Sequence, residues 1–146
     1  MLGEANCIAR LGDIALARFD HDGARERYGA ALPRFRKLGD VQGEANCLKG
    51  LGNIALERSD RTVARGDYEA ALTLYRKSGS VLGQANCVQS LGDIDEASED
   101  VASARRRWNE ALALYERIPE PYSIGQTHLR IARRRGGPGR RSAAPT

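Results

Sequence analysis

The side chains best equipped to grip another molecule sit at fixed levels, 40 residues apart. Asn6, Asn46 and Asn86 form the first level. Lys49 and Gln89, with Ala9 in the first copy, form the second. Asp13, Asn53 and Asp93 form the third, and Glu57 lies one turn beyond Asn53. Amides and carboxylates in this pattern hold a chain rather than break a bond. An asparagine side chain offers both a donor and an acceptor, so a row of them can grip an extended peptide backbone of any sequence. A second reading stays open, in which the asparagines satisfy backbone groups near helix starts or simply survive a duplication. The carboxylates at Asp13 and Asp93, with Glu57 and Glu96 nearby and only Lys49 opposing, predict a preference for a segment bearing Lys or Arg. A solvated polar face accounts for the same residues without a ligand.

Bond-making chemistry finds little support. There are two histidines, His21 and His128, and neither has a nucleophile or a second metal ligand at recognisable spacing. The glycines are scattered rather than gathered into a phosphate-binding loop. Cys7, Cys47 and Cys87 each stand alone at the same point of a repeat, with no Cys-x-x-Cys pair. Equivalent points on packed helices are ~8–10 Å or more apart, beyond the ~7 Å that a disulfide spans. The cysteines therefore read as small apolar residues in a seam between repeats. No catalytic residue, metal or cofactor is expected.

The elements that carry these side chains follow from the repeat itself. Gly3-Glu4-Ala5-Asn6-Cys7 returns as Gly43-Glu44-Ala45-Asn46-Cys47 and as Gly83-Gln84-Ala85-Asn86-Cys87. A fixed period of this length marks stacked supersecondary units whose function lies on an extended surface. Each repeat predicts two helices. The first run roughly over 4–18, 44–58 and 84–98. Ile8, Leu11 and Ala15 mark one buried stripe, and Cys7, Leu11 and Ile14 a second beside it. Gly12, Gly52 and Gly92 follow the central leucine, where a helix approaching closely leaves no room for a Cβ. The second helices run roughly over 21–37, 61–77 and 101–117. Their stripes are Ala24-Tyr28-Ala31-Phe35, Ala64-Tyr68-Ala71-Tyr75 and Ala104-Trp108-Ala111-Tyr115. Asp20, Asp60 and Asp100 are their N-caps. Gly39 and Gly79 mark C-termini. Pro33 is expected to kink or shorten the first of these helices near residue 32.

The third copy departs from the pattern. Asp95-Glu96 replaces an Ala-Leu pair, so its first helix is either more exposed there or specialised; local exposure is favoured. Pro119 and Pro121 end the third repeat, and a last helix over 124–135 is expected to cover the stack. Residues 136–146 are too polar and too rich in Gly, Pro and Arg to pack, and read as a disordered tail. Six arginines and no acid follow Glu120; without them the rest carries 17 basic against 19 acidic residues. The basic character thus belongs to the end of the chain. Its arginines, like Arg105 to Arg107, lack interleaved aromatics, so nucleic acid is not the expected partner. No apolar run reaches ~18 residues, so no membrane span is expected. With no leader pattern at the N-terminus, the cytoplasm is the expected location.

The spacing Leu11-Gly12, Ala24, Tyr28, Ala31, repeated at Leu51-Gly52 and Leu91-Gly92, resembles the tetratricopeptide repeat. The family's usual period is ~34 residues, so the 40-residue period is similar to the long-repeat branch of kinesin light chains and of bacterial arrays attached to signalling ATPases. The resemblance implies an all-α, right-handed superhelical solenoid of antiparallel helix pairs: three units over about 3–42, 43–82 and 83–122, with a C-terminal capping helix, in one domain over 1–135. It implies that the first helices line a concave groove. That places Asn6, Asp13, Asn46, Lys49, Asn53, Glu57, Asn86, Gln89 and Asp93 on the ligand face of a non-catalytic protein-interaction module. The alternative is a self-assembling or regulatory segment of a larger signalling protein, contacting itself or a companion ATPase. The seam of Cys7, Leu11 and Ile14 has no helix ahead of it, which makes homo-oligomerisation through the first helix a further expectation, as does origin from a longer array.

Overall fold

The computed structural model describes residues 2–118 and Ile131. Those residues form six helices, α1 (Leu2–Ala17), α2 (His21–Leu38), α3 (Val41–Glu57), α4 (Arg61–Ser78), α5 (Val81–Ala97) and α6 (Val101–Tyr115), and no strand. The chain divides into two compact units, Met1–Gly83 and Gln84–Thr146. Within each unit, connections this short fold consecutive helices back on one another as antiparallel neighbours. Apart from Ile131, which is helical and buried, the expected final helix over 124–135 and the tail over 136–146 lie outside the described residues.

The five helices α2 to α6 each start where a side chain can occupy orphan N–H groups. Asp20, Asp60 and Asp100 accept from the backbone N–H of Gly23, Val63 and Ser103. The sequence reading missed two more caps. Asp40 accepts from Gly43, and Ser80 Oγ accepts from Gly83. These two begin α3 at Val41 and α5 at Val81, three residues before the expected starts. Asn46 and Asn86 therefore lie in the second turn, past the unpaired N–H groups, and do not act as caps. Gly39 and Gly79 close α2 and α4 in the left-handed conformation, with φ of 71° and 82°.

Pro33 does not shorten its helix. α2 continues to Leu38 and has the same 18 residues as α4. The proline ring is exposed, and the Arg34 guanidinium donates to the Ala30 carbonyl in the preceding turn at 2.7 Å.

The core is the ladder of small and aromatic residues on the second helices. Ala24, Tyr28, Ala31 and Phe35 are at most 2% exposed, as are their counterparts on α4 and α6. The alanines let the helices approach, and the rings fill the gap. Gly12, Gly52 and Gly92 make room for those rings. A Cβ on each would come within 2.9 Å of Tyr28, 3.1 Å of Tyr68 and 2.7 Å of Trp108. The expected close approach is thus an aromatic ring from the repeat's own second helix. Burying each such ring contributes about 2–3 kcal/mol.

Asp95 is a correction. It is 3% exposed, not surface. Its carboxylate pairs with the Arg107 guanidinium on α6, Oδ2 to Nε, at 2.9 Å. Arginine in place of Asp67 of the second repeat supplies the cation that a buried acid requires.

The cysteines divide two to one. Cys47 and Cys87 are wholly buried, whereas Cys7 is exposed. Burial, with Asp13, Asp40 and Glu44 nearby, pushes the Cys47 thiol up to about 12. We expect one of the three thiols to react promptly with a thiol-specific disulfide reagent in the native protein, and all three in denaturant. Three fast-reacting thiols in the native protein would contradict the buried seam.

Candidate functional site

The outward faces of α1 and α3 border an open cleft of about 820 Å³ within the first unit. Residues one helical turn apart share a face. So Asn6, Arg10, Asp13 and Ala17 climb one wall, and Asn46, Lys49, Asn53 and Glu57 climb the other. Six of the nine expected site residues are brought together here: Asn6, Asp13, Asn46, Lys49, Asn53 and Glu57. Asn86, Gln89 and Asp93 occupy the corresponding positions on α5, whose part from Gln84 onward lies in the second unit. The sequence reading missed Arg10 and the apolar Leu16, Phe19 and Phe35, which also line the cleft. Arg10 was detectable, since it lies four residues after Asn6 and three before Asp13.

One side-chain oxygen of each third-level residue is taken. Tyr28 donates its hydroxyl to Asp13 and Tyr68 to Asn53, both at 2.5 Å, and Trp108 Nε1 donates to Asp93 at 3.0 Å. All three pairs span 15 residues. A carboxylate only accepts and an indole N–H only donates. In the middle pair the Asn53 side-chain oxygen stands where the other two repeats have a carboxylate and accepts from the Tyr68 hydroxyl. A second tier spans 29 residues: Tyr75 donates to Asn46 Oδ1 and Tyr115 to Asn86 Oδ1, each at 2.5 Å. The residue 29 positions beyond Asn6 is Phe35, which has no hydroxyl to give. Burial, reinforced by the Asp13 carboxylate, raises the Tyr28 phenol well above its ordinary value and keeps it a donor.

Glu57 is also engaged. His21 at the start of α2 contacts its carboxylate through Nε2. Beside this pair Asp22 accepts from Arg58 at 2.5 Å, and that hydrogen bond and charge hold the Asp22 carboxyl below its usual range. No hydrogen bond or ion pair within the described residues engages Arg10 or Lys49. The cleft thus carries two cations against two carboxylates, and both carboxylates already have donors. The expected acidic groove with only Lys49 opposing is not the charge pattern found, because Arg10 stands beside it. Among the described residues no three His, Cys, Asp or Glu side chains gather as metal ligands. No described helix is long and apolar enough to cross a membrane.

No curated protein matches the sequence. Among solved structures, BtubC (BKLC) from P. vanneervenii is similar with a TM-score of 0.81 at 20% identity, over 93% of this chain and 57% of that one. This chain therefore spans little more than half the length of that neighbour. The MamA protein aligns over 99% of this chain and 87% of its own, at 16% identity and a TM-score of 0.45. At such identity the BtubC likeness establishes the fold, an all-α solenoid of helix pairs. The tetratricopeptide repeat family model matches residues 4–78, just over half of the chain. With the aromatic-to-glycine packing and the paired helices already described, that match shows that this chain belongs to the tetratricopeptide repeat family.

Proposed function

We propose that the α1–α3 cleft binds an acidic segment, extended or helical, of a partner protein, and that the chain acts as a non-catalytic interaction module. Family membership supports protein interaction in general. The observation that carries the finer reading is the polarity of the cleft. Tyrosine hydroxyls occupy one oxygen of Asp13, Oδ1, and the side-chain oxygens of Asn46 and Asn53. What this leaves toward the opening includes four donor groups, the Asn46 and Asn53 amide NH₂ groups, the Lys49 ammonium and the Arg10 guanidinium, beside the second oxygens of Asp13 and Glu57. Donors of this kind match peptide carbonyls and carboxylates. This reverses the sequence-based preference for Lys or Arg in the ligand. Asn86, Gln89 and Asp93 of the second unit are proposed as ligand contacts in their own right.

The test is fluorescence polarisation with labelled peptides that are acidic, neutral or basic and otherwise matched. Acidic peptides are expected to bind best. Arg10→Glu with Lys49→Glu is expected to weaken them at least tenfold, since each hydrogen bond to a charged group contributes about 1.5–3 kcal/mol. Raising the salt is expected to weaken them as well. Equal affinity for basic peptides, or no effect of the double reversal in a protein of unchanged helicity, would refute the reading.

A further inference from the structure

The turn between α1 and α2 carries the most exposed large apolar side chain among the described residues. Phe19 is 76% exposed. Its backbone is left-handed, with φ of 60°, a region unfavourable to a bulky side chain. The same turn recurs at Ser59 and Glu99, with φ of 61° and 63°, where polar residues stand instead of the ring. Both are exposed, and Ser59 is so with a whole repeat ahead of it in the same unit. Exposure thus belongs to the turn itself and not to its place in the array. The turn is also held on both sides. The Phe19 N–H donates to the Leu16 carbonyl at 2.9 Å, the Asp20 N–H to that of Ala15 at 2.8 Å, and the Asp20 carboxylate caps α2 at Gly23. A ring on so fixed a mount loses little freedom when something covers it. The local fold does not call for phenylalanine, since asparagine or glycine suits this backbone better. Strain kept for an exposed ring points to contact with another molecule.

The ring borders the α1–α3 cleft at the end where Leu16 and Ala17 make the α1 wall apolar. Leu16 is half-buried and packs against the core, so it is fixed as well. Arg10 lies on the same wall, six residues before Leu16 and nine before Phe19. That is ~9–14 Å at a rise of ~1.5 Å per residue. We infer that Phe19, with Leu16, forms an apolar subsite at this end of the cleft, and that it selects a partner segment carrying an apolar side chain at that distance from its acidic residues. The inference rests on the acidic-segment reading of the cleft and adds a second requirement to it. In an extended segment, at ~3.3 Å per residue, the spacing is about three or four residues. In a helical segment it is about seven, which also returns to the same face. Exposed aromatics on rigid supports are the usual anchors of such contacts.

The test is fluorescence polarisation with labelled peptides that carry two adjacent glutamates. One series is extended, in a Gly/Ser background, with leucine or alanine about three residues to either side of the pair. The other is helical, in an Ala-rich background, with leucine or alanine about seven residues away. In one series leucine is expected to bind at least about fivefold more tightly than alanine, part of what full burial of the side chain contributes. Leucine next to the glutamates is expected to gain nothing. Phe19→Asn is expected to bring the leucine and alanine affinities together, with a melting temperature equal to the parent's or higher, since asparagine accepts the left-handed turn. Phe19→Tyr keeps the ring and is expected to keep most of the difference. If the acidic peptides respond to Arg10→Glu with Lys49→Glu but leucine gains nothing, or its gain survives Phe19→Asn, the subsite falls and the acidic reading stands. If leucine's gain depends on Phe19 and charge has no effect, the acidic reading falls and the subsite stands. No binding by any peptide overturns both. A lower melting temperature for Phe19→Asn would make the ring a packing residue. A concentration-dependent dimer lost in Phe19→Asn would assign it to a second copy. Either result overturns the inference.

Discussion

Replacing Trp108 with alanine is expected to cost about 4 kcal/mol, the largest single loss in the second unit. The indole is wholly buried and is the largest fully buried side chain. It lies so close to α5 that a Cβ on Gly92 would come within 2.7 Å of it. It packs with Ala104 and Ile131, and its N–H is donated to Asp93. Truncating such a ring loses its transfer free energy and leaves a cavity that helices tied at both ends cannot close; buried Phe and Trp sites cost about 3–5 kcal/mol when cut to alanine. Urea unfolding followed by circular dichroism measures the change. Trp108→Tyr is the control, since Tyr28 and Tyr68 fill the same position in the other repeats and keep a donor for the acid. It is expected to cost under about 2 kcal/mol, from lost volume alone. A loss below about 1 kcal/mol for Trp108→Ala would mean that the ring is not the keystone of α5 and α6. In a repeat protein each unit is stabilised by itself and its neighbours. The first unit is therefore expected to retain its helices at urea concentrations that unfold the second.

What could be read before folding was whatever depends on near neighbours in the chain. Asp20, Asp60 and Asp100 announce helix starts because a cap acts within three residues, and Gly39 and Gly79 announce ends for the same reason. The 40-residue period also shows which side chains share a face, which is why six of the nine expected site residues border one cleft. What stayed hidden depends on side chains meeting across helices. The spacing of 15 between Asp13 and Tyr28 recurs at Asn53–Tyr68 and Asp93–Trp108, yet nothing in the string says that the ring reaches back to donate. Without that knowledge the asparagines read as free amides, although Tyr68 and Tyr75 occupy the oxygens of Asn53 and Asn46. Pro33 does not end its helix, which runs on to Leu38, and the string alone could not show the Arg34 guanidinium donating to the Ala30 carbonyl in the turn before it. Asp95 was misread for a related reason. An acid in place of alanine implies exposure unless a cation lies within reach, and that cation, Arg107, is on the next helix.

The Asp95–Arg107 pair supplies the second large effect. Arg107→Leu is expected to destabilise the chain by about 3 kcal/mol, because it leaves a carboxylate that is 3% exposed without its cation. Asp95→Ala alone is expected to cost far less. It restores the residue found at Ala15 and Ala55, and the Arg107 side chain, 27% exposed, can turn its charge toward water. The decisive variant is the double one, Asp95→Ala with Arg107→Leu. A buried ion pair replaced as a unit by apolar side chains is commonly neutral or stabilising, so the double variant is expected to be close to the parent in stability. It should be more stable than Arg107→Leu alone by about 2–3 kcal/mol. Two residues in direct contact show a coupling of this size, whereas independent sites add. Additive losses would mean that Asp95 finds its compensation elsewhere. The pair also lies two residues beyond Asp93, on the last turns of α5. Its removal is therefore expected to loosen the end of α5 and to speed amide exchange there, while the α1–α3 cleft of the first unit keeps its protection.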